Sequence, residues 1–540
     1  MPAGSTGAGR AGPLSPGPRE ACGVFGLWGH PQAVACAVRA LYALQHRGQE
    51  SAGVAALDGA GRLVVHKGAG LVSRVFPDPV QVPGLPAGAQ AAIGHVRYAT
   101  AGDPGPGNAQ PLLFPGGPGL GPFALAHNGQ LVGGMRWRRL LARRGVELAT
   151  TADTEVIGRV AERLARLERS DEPWAARHRG PEGSGPPRPP GPPRPLLRAL
   201  AAVRGAYAVV VLTPWGLLAA RDPWGIRPLV LGRIDGAWAV ASETCALETA
   251  GGRAEAEVPP GHWVWLAEAA LPAVGRIAAG GGRAGSSARD GGGAGSGAGS
   301  GAEAFCVFEY IYFARPDSCF GGRSVYAVRK ELGRRLARRH PATADVVVGV
   351  PDSSLPAAAG YAEEAGLPHE LGLVKNRYVG RTFIRPGQGA RDEAVRLKLH
   401  PVPGVLAGRR VVVVDDSLVR GTTARWLVAA LRQAGAREVH LRITAPPYRH
   451  PCPFGIDTGR RDDLPAAGRS PEELGRALGA DSLAFLPLEE VVAATGRPAA
   501  SLCLGCFTGR YPLDPEGKER RPGAPAAGPV AAEPRGRERP

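Results

Sequence analysis

Three groups of residues in this chain have types and spacings suited to chemistry. Cys22 stands second in the string ACGVFGLWGH, after a leader, residues 1–21, made mostly of Gly, Pro, Ala, Ser and Arg. Such a leader cannot bury apolar surface and is expected to be disordered. Its removal after Ala21 would leave Cys22 as the first residue, with a free α-amine beside the thiol. An α-amine with a pKa of roughly 8 accepts a proton at neutral pH, so Cys22 would be a nucleophile carrying its own base. The second group is RRVVVVDDSLVRGTTARWL, in which an apolar strand, 411–414, ends in Asp415 and Asp416. Ser417, Arg420, Gly421, Thr422 and Thr423 follow, and then a helix begins. A helix N-terminus favours phosphate, Gly421 lets the backbone approach a ligand closely, and the hydroxyls are donors. The acid pair is placed to hold two sugar hydroxyls or a hydrated Mg²⁺. Two acids alone would serve as well to cap a helix; the whole string points to a ligand. Third, Cys503 and Cys506 form a CxxC among eight cysteines, a usage that argues for metal or catalysis where no secretory signal is present.

The elements that must position these residues fall into two halves. From residue 22 to 279 the text is short apolar runs with turn punctuation, such as AGVAALD, RLVVHKG, AAIGHVRYAT, FALAHNGQL and AYAVVVLTPWGLLAARD. Helical patterns at 34–45 and 153–167 interrupt them, which predicts an α+β layered domain. A Pro/Arg/Gly-rich insertion, 170–195, breaks this half, and a Gly/Ser-rich linker, 280–302, ends it. Residues 303–512 read differently. ADVVVGVP, HELGLV, RRVVVVDDS and EVHLRITAP are β-branched runs separated by helices at 324–339 and 423–434, the pattern of an α/β domain with a mostly parallel sheet. A polar tail, 513–540, is expected to be disordered. The formal net charge is +17 with only five lysines. The excess is scattered arginine rather than a basic stripe, which speaks against nucleic acid as a partner. No stretch is long and apolar enough to span a bilayer, so no membrane role and a cytoplasmic location are expected.

The string from Asp415 to Thr423 resembles the phosphoribosyl diphosphate loop of type I phosphoribosyltransferases. Together with CGVFG, LQHRGQES, GHVRYAT, AHNGQL, TADTEV, RDPWGIRPL, CVFEYIYFARPDS, VPDSS, KNRYVGRTFI and CFTGRYP, it resembles the amidophosphoribosyltransferase family over roughly 22–512. The resemblance implies an N-terminal-nucleophile glutaminase, a four-layer sandwich, followed by a phosphoribosyltransferase. It assigns Cys22 to attack on glutamine, Asn128 and Gly129 to the oxyanion, Arg97 to the glutamine carboxylate and Asp153 to its ammonium. Gln130 stands where the family usually has Asn, beside the oxyanion donors. In the second half the resemblance places Mg²⁺, one per subunit, with Ser353, Asp415 and Asp416. Lys375, Arg377 and Arg381 would face phosphates from a closing loop.

Cys306, Cys452, Cys503 and Cys506 match the positions that hold a [4Fe–4S] cluster in the iron–sulfur members. By spacing alone, four cysteines suit zinc equally well. In those members a leader is removed to expose the cysteine, which matches residues 1–21. The implied activity makes 5-phosphoribosylamine, glutamate and pyrophosphate from glutamine, water and phosphoribosyl diphosphate. Feedback inhibition by purine nucleotides and a homotetramer are further implications. The linker 280–302 is longer than the family's. Three other readings are weaker. A glutaminase with another acceptor has no use for VVDDSLVRGTT, a phosphoribosyl diphosphate-binding regulator has none for Cys22, and a structural iron–sulfur protein explains neither site.

Overall fold

The computed structural model describes residues 22–98, 106–167, 191–267, 271–277, 303–376, 399–456 and 458–513. The leader, most of the 170–195 insertion, the linker, Arg377, Arg381 and the tail from 514 lie outside the described residues.

Thirteen strands build two antiparallel sheets in the first half. They are β1 (Gly23–Trp28), β2 (Ser51–Leu57), β3 (Leu63–Ala69), β4 (Ala91–Arg97), β5 (Leu112–Phe114), β6 (Phe123–Leu131) and β7 (Gly205–Thr213). There follow β8 (Gly216–Arg221), β9 (Val230–Ile234), β10 (Ala237–Ala241), β11 (Gly252–Glu257), β12 (His262–Leu266) and β13 (Ala273–Arg276). One sheet has the order β11-β9-β10-β1-β4-β2-β3, the other β13-β12-β8-β7-β6-β5. Alternation along the strands feeds three cores. Ala208, Val210 and Leu212 of β7 face Val24, Ala55 and Ile93 of the opposite sheet. Tyr207, Val209 and Val211 face the outer helices Asp153–Leu167 and Arg194–Ala202. Phe25 and Leu27 of β1 lie under Ala33–Ala43 on the far side. The result is four layers, helix, sheet, sheet, helix.

Two local readings differ. AYAVVVLTPWGLLAARD is a hairpin, Thr213 pairing with Gly216 across Pro214 and Trp215. The helix Arg194–Ala202 begins inside the expected insertion, because Pro195 occupies its first turn, where a missing N–H costs nothing.

The second half carries four parallel strands, Val346–Gly349, Arg410–Asp415, Glu438–Ile443 and Ser482–Phe485, adjacent in that order. HELGLV does not form a full strand. His369 makes only an isolated bridge to Val347, and a tight turn from Gly372 N–H to the Glu370 carbonyl (3.0 Å) interrupts the run before Leu373–Lys375. The helices Val325–Arg339 and Leu355–Ala365 touch backbone to backbone. A Cβ on Gly333 would stand 1.8 Å from the Ala357 carbonyl oxygen, and one on Gly360 1.9 Å from that of Lys330.

The halves are stitched together by main chain. Ala304 and Cys306 donate to the carbonyls of Trp224 (2.7 Å) and Ile226 (3.1 Å), while Phe305–Cys306 also pairs with Leu502–Cys503. No described helix is long and apolar enough to cross a membrane.

Candidate active sites

Gly23 pairs with Val96 across β1 and β4, so the next step in register sets Cys22 opposite Arg97. The Cys22 thiol is buried and donates to the Tyr98 carbonyl oxygen (3.4 Å), while the Tyr98 N–H points back at the sulfur (3.5 Å). Burial pushes this thiol above its ordinary pKa, against the Tyr98 N–H and the charges of Arg97 and Arg227. The surroundings therefore do not activate Cys22, and a base has to come from elsewhere. Arg97, also buried, lies 3.6 Å from Glu50.

Asn128 and Gly129 sit on β6, which reaches this point from the other sheet. His127 N–H is held by the Gln110 side chain (2.8 Å) and the His127 carbonyl by His95 Nε2 (3.1 Å). Those two side chains stand in for a strand partner on the edge away from β7. Residues two apart on a strand present their N–H groups to the same edge, so Gly129 N–H faces that edge too. Only glycine fits there. Its φ is +140°, and a Cβ would stand 2.1 Å from the Ala206 carbonyl oxygen.

Ser242 joins the two sheets at this spot. Its hydroxyl accepts from Val24 N–H (3.0 Å) and lies 3.5 Å from Asn128 Nδ2, whereas the buried Asn128 Oδ1 has no partner among the described residues. Turning the amide over gives Oδ1 the hydroxyl proton of Ser242 and leaves Nδ2 as a free donor. Asp153 opens the helix Asp153–Leu167 and accepts from Leu131 N–H (2.9 Å), at the end of the same β6. Burial raises its pKa. The structure thus brings Cys22, Arg97, Asn128, Gly129 and Asp153 to one end of the sandwich. Sequence reasoning missed Ser242, His95 and Gln110, which act by holding other residues and belong to no spacing pattern.

In the second half Asp415 ends its strand and Asp416 follows. Ser353 donates to Asp416 (2.6 Å), Ser354 to Asp415 (3.2 Å) and Ser417 to Asp416 (2.7 Å). Burial and the neighbouring Asp416 charge push the Asp415 carboxyl up to about 8, and burial raises Asp416 as well. Two crowded carboxylates and a hydroxyl are a hard oxygen set short of positive charge, which fits Mg²⁺. Gly421, with φ +73°, precedes the helix Thr422–Gln433, where Thr422 and Thr423 take up the first turn. Arg420 is half-buried beside this turn, 3.2 Å from where a Cβ on Gly459 would stand. Lys375 pairs with Asp352 (2.8 Å), next to Ser353.

The four family cysteines converge. Cys306 and Cys503 are register partners. Main chain from Arg449 and His450 donates to the Cys506 carbonyl (3.0 Å each), and the Tyr511 hydroxyl donates to Pro451 O (2.7 Å). Burial raises all four thiols, Cys503 to about 12, and Cys306, Cys503 and Cys506 each feel the charge of at least one other. Among the described residues no three His, Cys, Asp or Glu side chains close on a single ion. Four buried thiols, three of which feel the charge of another, are a donor set that fits a [4Fe–4S] cluster, whose ligands bind different irons.

Arg227, fully buried, links the two ends. It donates to the Phe454 carbonyl (2.8 Å), lies 3.4 Å from Glu309, and its charge acts on Cys22 as well as on Cys306, Cys452 and Cys503.

A family model described as the phosphoribosyl transferase domain matches residues 325–451. The amidophosphoribosyltransferase of Bacillus subtilis is 42% identical over 504 residues, covering 92% of this chain and 95% of its own length. That of Methanocaldococcus jannaschii is 41% identical, covering 91% and 98%. A solved structure of glutamine phosphoribosylpyrophosphate amidotransferase from B. subtilis, complexed with ADP and GMP, aligns with a TM-score of 0.75 at 42% identity, over 91% of this chain and 97% of that one.

Proposed function

The chain belongs to the amidophosphoribosyltransferase family, and on that footing we propose how its two halves share the reaction. The enzyme catalyses the first step of purine biosynthesis, in which glutamine, phosphoribosyl diphosphate and water give 5-phosphoribosylamine, glutamate and pyrophosphate. The observation that carries the glutaminase site is Ser242, whose hydroxyl ties the strand after Cys22 to the side chain of Asn128.

At the first site Cys22 Sγ adds to the glutamine carboxamide carbon. Its proton goes to the α-amine freed by removal of residues 1–21, since the buried surroundings hold the thiol protonated. Gly129 N–H and Asn128 Nδ2 meet the oxyanion, Arg97 grips the substrate carboxylate, and Asp153 holds its ammonium. The C–N bond breaks, ammonia leaves with the α-amine's proton, and water then cleaves the thioester to glutamate.

At the second site ammonia attacks the ribose C1 as pyrophosphate departs. Ser353, Asp415 and Asp416 would hold Mg²⁺, which when bound neutralises the leaving group. The loop Ser417, Arg420, Gly421, Thr422 and Thr423 cradles the 5-phosphate. Lys375, with Arg377 and Arg381, meets pyrophosphate. Little acid–base chemistry is asked of the protein here; positioning and charge do the rest.

Cys306, Cys452, Cys503 and Cys506 hold a [4Fe–4S] cluster, which when bound cross-links three distant segments of the second half. Purine nucleotides as inhibitors, supported by ADP and GMP in the B. subtilis complex, a homotetramer and a cytoplasmic location complete the reading. Its test is Cys22→Ala. Pyrophosphate release with glutamine should vanish while release with ammonium salts persists; loss of both would refute the division.

A further inference from the structure

Tyr448, four residues before Cys452, lies 1% exposed, and its hydroxyl has no hydrogen-bond partner among the described residues. The ring is gripped edge-on by Phe308 (5.6 Å) and by Phe507 (6.1 Å), the residue after Cys506. Arg449, next in sequence, donates its N–H to the Cys506 carbonyl. A nearby tyrosine, Tyr511, shows the contrast, since its hydroxyl is satisfied by His450 and Pro451 carbonyls. Buried phenols almost always find an acceptor, and rings on two sides offer few polar partners for a bridging water. Apart from burial, the charges that act most on Tyr448 are those of Cys506 and Cys452, followed by Tyr511 and Cys306.

We propose that the Tyr448 hydroxyl donates a hydrogen bond to a sulfur of an iron–sulfur cluster held by Cys306, Cys452, Cys503 and Cys506, and so eases its reduction. This rests on the cluster reading given above. Reduction places more negative charge on the sulfurs, so a donor aimed at them stabilises the reduced form more than the oxidised one.

The test compares wild-type holoenzyme with Tyr448→Phe, both purified without air. Phe keeps both ring contacts and removes only the hydroxyl. Iron per chain and visible absorbance should match. In dithionite titrations followed by electron paramagnetic resonance, the variant should be about tenfold harder to reduce, a shift of about 59 mV to lower potential for one electron. A variant with full iron and the wild-type potential overturns the role of Tyr448. Wild-type protein that carries no iron overturns the cluster reading itself.

Discussion

The Arg47 guanidinium lies 2.5 Å from the Glu309 carboxylate, and neither side chain has any solvent exposure. Arg47 comes from the glutaminase half and Glu309 from the phosphoribosyltransferase half. Arg47 also bonds Glu243, which accepts from Ser318 (2.6 Å), while Glu309 reaches Arg227 (3.4 Å). Two arginines and two glutamates thus close a dry ionic junction between the halves. Glu309→Ala would take from the buried Arg227 its carboxylate and leave Arg47 with Glu243 alone. The expected cost is about 3–5 kcal/mol, seen as a lower melting temperature. Activity with glutamine should fall more than activity with ammonium; equal losses would limit the junction to stability.

Ser242→Ala removes the hydroxyl that orients Asn128. The expected loss is about tenfold in kcat with glutamine, smaller than the hundredfold or more that follows loss of an oxyanion donor. KM for glutamine and the ammonium-dependent rate should hold. A changed KM with intact kcat would contradict the assignment.

His95 and His127 are buried as neutral rings, their pKa values pulled down to about 3 and about 4 by burial. The unfolded chain binds their protons near 6.5, so their stabilising effect is complete above that pH and is lost as pH falls towards 4. Between pH 6.5 and 5 the loss is about 2 kcal/mol for each ring. In His95→Gln the fall in melting temperature over this interval should shrink; an unchanged slope would place the acid sensitivity elsewhere.

Asp416→Asn removes the charge that, with burial, raises Asp415. The ligand-free protein should melt higher, while activity is lost with glutamine and with ammonium alike. A variant that melts lower would show the pair to be balanced without a cation.

Much of this was legible in the text. The helix Asp153–Leu167 has an acid at its start and a clear apolar stripe, and 411–414 is an unbroken β-branched run before two acids; both lie where the pattern puts them. HELGLV misled because a glycine turn inside an apolar run carries no period of its own. Gln110 and His95 stayed hidden for another reason. They satisfy backbone groups on a strand distant in sequence, and only the meeting of two sheets shows that those groups lack a partner. Tyr448 was invisible for the same cause, being defined by what its hydroxyl does not reach.

The contact of Gly333 with Ala357, and of Gly360 with Lys330, leaves no room for a side chain at these two points between the helices. Leu355–Ala365 therefore cannot slide along its neighbour, and Ser353, one residue before its cap, inherits that fixity. The hydroxyl's place beside Asp416 is settled once, at folding, instead of being found anew in every catalytic cycle. Substrate must come to this loop as to a mould already set.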